Sequence, residues 1–106
     1  VDNNKIQQTN FVRAIKPVEP IGPKFAAFGW NVINVADGHD FDELRDATRR
    51  GHKAKLKPTV IVMETVKGKG VPFAEHKPSY HGVALSKEEM AVAVPILEKE
   101  LRKMPD

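Results

Sequence analysis

The sequence predicts an α/β fold: a parallel sheet flanked by helices, part of a larger domain and incomplete as a stand-alone one. Three observations lead there. Residues 30–35 (WNVINV) are rich in β-branched side chains and bounded by turn residues, the pattern of a strand. Residues 58–65 (PTVIVMET) form a continuous apolar run with no polar alternation until its end, as in a parallel strand covered on both faces. Between these runs, Phe41, Leu44, Ala47 and Thr48 share one face of a helix. Strand and helix in alternation favour parallel pairing through crossovers.

Each element follows from local chemistry. Residues 1–4 (VDNN) read as the end of a strand already running, so a segment upstream of Val1 is expected. A polar stretch, residues 7–10, leads into Pro17, Pro20 and Pro23; prolines so close exclude a long helix and favour an extended loop. Residues 24–28 make a short helical turn that Gly29 can end as a C′ residue. Asp37-Gly38 supplies a turn, and Asp40 with Glu43 has capping-box spacing for a helix that ends near Gly51. Residues 1–6, 30–35 and 60–65 are then neighbouring parallel strands, with residues 41–50 packed on one face.

A long loop follows over residues 66–82, with Gly68, Gly70 and Gly82 and two prolines. Loops of this length are usually functional or mobile. Ser86 with Glu89 opens a last helix on which Met90, Val94, Leu97, Leu101 and Met104 recur at helical spacing. Pro95 either kinks that helix or starts a second one. The chain therefore divides into residues 1–85 and a helical tail, residues 86–106.

Composition narrows the function classes. The 106 residues suffice for one small domain. The net charge of +3 is spread between elements, whereas nucleic-acid binding calls for a focused basic face; none is expected. No run is long enough to span a bilayer. Cysteine is absent, which removes disulfide and thiolate chemistry and fits a reducing, cytoplasmic setting.

Parallel sheets place ligands beyond the carboxyl ends of their strands, which selects residues 3–7, 36–40 and 67–82. The Asn4 side chain and the Ile6 carbonyl are two neutral oxygens one residue apart, able to face a hard cation such as Mg²⁺ or Ca²⁺, although Asn-Asn pairs also make ordinary turns. Lys67-Gly68-Lys69-Gly70 could cradle phosphate through glycine amides and lysine charge, but it lacks the GxxxxGK(S/T) form of a P-loop and reads equally as a solvated loop. His81, before Gly82, could donate, accept or relay a proton near neutral pH. His39, His52 and His76 lack the paired spacing of a zinc site.

Taken in order, VDNNKIQ, FGWNVINVADGHDFDEL, KPTVIVMETVKGKGVPF and SYHG resemble the second half of the N-terminal, thiamin diphosphate-binding domain of transketolases. The likeness runs from Val1 to about Leu85, and the form TVKGKG looks most like transketolases divided into two subunits. The resemblance implies that Asn4 and the Ile6 carbonyl bind the Mg²⁺ (or Ca²⁺) that holds the cofactor diphosphate. It implies that Lys67 and Gly68 border the cofactor, and that His81 touches both the diphosphate and the sugar as a catalytic residue. The implied reaction is transfer of a two-carbon ketol unit from a ketose phosphate to an aldose phosphate, in an oligomer of the pentose phosphate pathway. The family motif opens with GDG, whose aspartate is a metal ligand; that half is not in this sequence. Nor is the glutamate that activates the cofactor, which belongs to a pyrimidine-binding domain or subunit. Both are expected as partners, and the chain alone is expected to be inactive. Deoxyxylulose-phosphate synthase shares DGHD, KGKG and YHG and is the nearest alternative enzyme. A non-catalytic α/β module that binds an anion or a partner is the alternative of another class.

Overall fold

Three parallel strands carry the chain. The computed structural model describes residues 1–103; Met104, expected on the last helical stripe, lies outside the described residues. β5 (Thr59–Glu64) is central, with β1 (Asp2–Asn3) on one side and β4 (Asn31–Val35) on the other. Both pairings are parallel, with Asn3 opposite Glu64 and Val35 opposite Met63. The expected parallel set is present, but its first strand is shorter than residues 1–6. Lys5 takes a left-handed φ of 64°, and the Asn4 side chain accepts the Ile6 N–H. That turn ends the strand and starts an antiparallel hairpin, β2 (Ile6–Gln7) against β3 (Asn10–Phe11). The polar residues between them form its tip, where Gln8 is also left-handed.

A helical turn precedes the proline-punctuated segment, and the short helix expected at residues 24–28 begins earlier, within the stretch expected to be extended. α1 (Val12–Ile15) is one turn, and α2 spans Ile21–Ala27. Pro20 stands at the N-cap of α2 and Pro23 in its first turn, where a proline removes only an N–H that has no helical partner. Gly29, at φ 82°, closes α2 as foreseen, its N–H on the Ala26 carbonyl. The Phe25 and Trp30 rings meet edge-on at 5.2 Å.

The two faces of the sheet are covered by different helices. Ile33, Val35, Ile61 and Met63 meet Leu44 and Ala47 of α3 (Phe41–Lys53). α2 lies on the other face, where Gly22 is packed so closely that a Cβ would stand 3.2 Å from Val32 Cγ1. α3 departs from expectation in its first turn and ends near Gly51, as expected. Asp40 accepts the Asp42 and Glu43 N–H groups, but Glu43 reaches back to Ala36 and Asp37 rather than to Asp40. Phe41 faces solvent, and the helix passes Gly51 by one half-turn to Lys53. α4 (Lys87–Leu101) opens on a reciprocal Ser86–Glu89 capping box and continues through Pro95 as one helix. Its buried side chain is Ala93, whereas Met90, Val94, Leu97 and Leu101 are exposed.

The core is small. Its buried apolar residues are Ile33, Val35, Ala47, Val60, Val62, Ala74 and Ala93. Three of them are alanines and none is aromatic, while each buried Val or Ile contributes only about 1.5–3 kcal/mol. The accessible surface is 7930 Å², against roughly 5,900 Å² for a compact monomer of this mass. The radius of gyration is 16.6 Å, against roughly 13 Å for a compact domain of this length.

Two expectations follow. Residues 1–106 expressed alone should self-associate and unfold without a sharp transition; a monomer in sedimentation with cooperative melting would refute this. Gly38→Ala should destabilise the full-length protein by about 1–3 kcal/mol, because its Cβ would stand 2.9 Å from the Glu64 carbonyl oxygen and from Met63 Cβ. Denaturant unfolding of the two proteins measures the difference.

Candidate functional site

All three strands end at the same edge, and three loops gather there. The first is the turn after β1. Asn4 and Ile6 are half-buried, and Asn4 Oδ1 accepts the Ile6 N–H at 2.9 Å, leaving one lone pair of that oxygen. Lys5, between them, turns outward. Its ammonium lies 2.7 Å from Glu19 Oε1 and 3.2 Å from Glu64 Oε2. The hydrogen bond to Glu19 raises the Lys5 pKa, against a smaller desolvation effect, and Glu64 adds to the rise. The same bond lowers the pKa of Glu19.

The second loop, residues 36–40, is joined to the exit of β5. Gly38 N–H donates to the Glu64 carbonyl at 2.7 Å, and His39 Nε2 accepts the Val66 N–H at 2.8 Å. Asp37 holds the turn by accepting the His39 N–H.

The third loop, residues 66–82, is built from successive turns rather than free chain. Lys69 N–H donates to the Val66 carbonyl, Gly70 N–H to Glu75 Oε1 and Val71 N–H to the Gly68 carbonyl. Gly68 is left-handed at φ 73°, and a Cβ there would meet the Ala74 carbonyl oxygen at 2.8 Å. The glycines therefore close the loop on itself. Its amides from Lys69 to Val71 have protein acceptors, and the Lys67 and Lys69 side chains carry the positive charge of this stretch. Among the described residues neither forms a salt bridge.

The loop then enters a 3₁₀ turn, Pro78–Tyr80, which lies against β3. His81 follows, exposed, with its N–H on the Pro78 carbonyl at 2.9 Å. Tyr80 Oη donates to Glu89 Oε1 at 2.7 Å, joining the turn to the start of α4. This bond raises the Tyr80 pKa and is the first cause of the lowered pKa of Glu89.

Asn4 and Ile6 follow β1 and Lys67 and Gly68 follow β5 at the carboxyl edge, and the 3₁₀ turn before His81 packs against β3 of the hairpin that Ile6 begins. No hydrogen bond joins Asn4 or Ile6 to Lys67, Gly68 or His81 among the described residues. Sequence reasoning missed His39, Gly38 and the Lys5–Glu19–Glu64 group. DGHD signalled a loop beyond a strand, but nothing periodic ties His39 to an amide 27 residues later.

Asn4 Oδ1 and the Ile6 carbonyl are neutral oxygens of the kind a hard cation takes as two of its six ligands. They do not complete such a set: among the described residues no cluster of three or more acidic or histidine side chains could hold a cation.

Comparison with known proteins bears on the family of the chain. The family described as transketolase, thiamine diphosphate binding domain, matches residues 1–100. A 6-deoxy-6-sulfo-D-fructose transketolase subunit from a Clostridium species is 41% identical over 99 residues, covering 93% of this chain and 36% of the relative. A putative uncharacterized transketolase family protein from Sinorhizobium fredii is 38% identical over 100 residues, covering 92% and 35%. Transketolase 2 of Xanthobacter flavus is 44% identical over 68 residues, covering 64% and 10%. The chain spans about a third of the length of the first two relatives. It belongs to the transketolase family, within that family's thiamine diphosphate-binding domain.

Proposed function

We propose that this chain supplies the metal- and diphosphate-facing loops of a transketolase, which transfers a two-carbon ketol unit from a ketose phosphate to an aldose phosphate. The observation that supports this best is the family match over residues 1–100, together with the Asn4 turn and the Lys67–Gly68 turn directly after β1 and β5 at the carboxyl edge of one parallel sheet, where ligands of such sheets bind.

In this reading Asn4 Oδ1 and the Ile6 carbonyl bind Mg²⁺ or Ca²⁺, Lys67 and Gly68 border the diphosphate, and His81 reaches both diphosphate and sugar. Thiamin diphosphate, when bound, supplies the carbon nucleophile and the electron sink. The lysine ammonium groups offset phosphate charge and orient it. His81 holds or moves a proton at the sugar hydroxyls. The remaining metal ligands, a GDG aspartate among them, and the pyrimidine-binding surface come from other segments or subunits, so residues 1–106 are inactive alone. The assembly is an oligomer in the cytoplasm. No helix among the described residues is long and apolar enough to cross a membrane.

A sulfonated ketose is the second donor to consider, because the 41% identical relative is named for one. Sulfonate and phosphate are both tetrahedral oxyanions that a lysine can meet. Turnover of each donor by the complete enzyme separates them.

Asn4→Ala should weaken thiamin diphosphate binding by the complete enzyme about tenfold or more, the scale of roughly 1.4 kcal/mol. Unchanged affinity in a calorimetric titration would count against the metal role. His81→Ala should lower kcat by about 10²-fold or more, and a wild-type kcat in steady-state assays would remove His81 from the chemistry.

A further inference from the structure

The Val66 amide is the first group of the 66–82 loop, and its hydrogen bond is unusual. The β5 ladder has ended at Glu64, so no neighbouring strand offers a carbonyl. The N–H is part-buried, and its acceptor is a side chain, His39 Nε2 at 2.8 Å. An imidazole that accepts at Nε2 carries its proton on Nδ1. His39 is itself fixed: its N–H lies on Asp37 Oδ1, and the preceding Gly38 N–H lies on the Glu64 carbonyl. Gly38 also packs so tightly on Met63 and Glu64 that a Cβ does not fit. The ring is therefore held against the strand exit from its own side.

We infer that His39 is a positioning residue, a latch that sets where the 66–82 loop leaves the sheet. Lys67 and Gly68 follow Val66 directly, and the Lys67 carbonyl accepts the His76 N–H at 3.1 Å, so the direction of the exit carries into the body of the loop. His39 need touch neither cofactor nor substrate. Its effect on the reaction rests on the transketolase reading, in which that loop holds Lys67, Gly68 and His81; its effect on the loop does not.

The test compares His39→Leu and His39→Gln in the full-length protein. Leucine removes the acceptor, and glutamine restores an amide oxygen at similar reach. Loss of one part-buried hydrogen bond should speed amide exchange at Val66 about tenfold, and tryptic cleavage after Lys67 and Lys69 should rise with it. His39→Gln should return both to near the wild-type rates. Thiamin diphosphate affinity should fall about tenfold in His39→Leu and recover in His39→Gln. If exchange and cleavage in His39→Leu match wild type, or if His39→Gln is as open as His39→Leu, the latch is refuted. If the loop opens in His39→Leu and closes in His39→Gln while cofactor affinity stays constant, the latch stands and the cofactor assignment of the loop fails.

Discussion

The exit of β5 is the constraint on which the rest depends. Within three residues, Glu64 to Val66, it meets the end of β1 with its turn and the 36–40 loop, and it begins the third loop. Asn3 donates its side-chain amide to Glu64, Lys5 pairs with the same carboxylate, and Asp2 accepts the Thr65 hydroxyl. Gly38 takes the Glu64 carbonyl and His39 the Val66 amide. A buried central strand is the most rigid element a small sheet possesses, so loops registered on its end inherit its position. The exposed ion pairs contribute little stability; their value lies in fixing which loop lies beside which.

Much of this was legible because the relevant signals are local. The apolar run at residues 59–64, the β-branched run at 31–35 and the amphipathic helix between them dictate a parallel pair with a crossover. Ser86 and Glu89 formed the box their spacing promised. The errors share one physical origin, that local pattern does not state what tertiary packing demands. Residues 1–6 look like one strand until a left-handed Lys5 ends it. Three prolines look like a loop until two of them fall where a helix has no N–H to lose. The stripe on α4 looks like a core face, yet Ala93 is the residue that goes inside.

The loops around the candidate site were legible in a different sense. The parallel topology was readable, and it sets the residues after β1, β4 and β5 at one edge of the sheet. What the sequence could not convey was the use of each atom. The glycines of KGKG suggested open amides for an anion, whereas Gly68 and Gly70 let the loop approach Ala74 and Leu97. The histidine of DGHD carried no metal spacing and so no evident role, although its ring binds a backbone amide on another loop.

The self-contained turns of residues 66–71 have a consequence for association. A flexible anion-binding loop loses conformational entropy when a ligand orders it, and that loss subtracts from affinity. Here the amides of Val66 and of Lys69 to Val71 already have acceptors, and Gly68 and Gly70 are already left-handed. In the proposed reading, an anion arriving at this edge would meet turns already closed by their own hydrogen bonds, and much of the ordering left to it would be that of the Lys67 and Lys69 side chains.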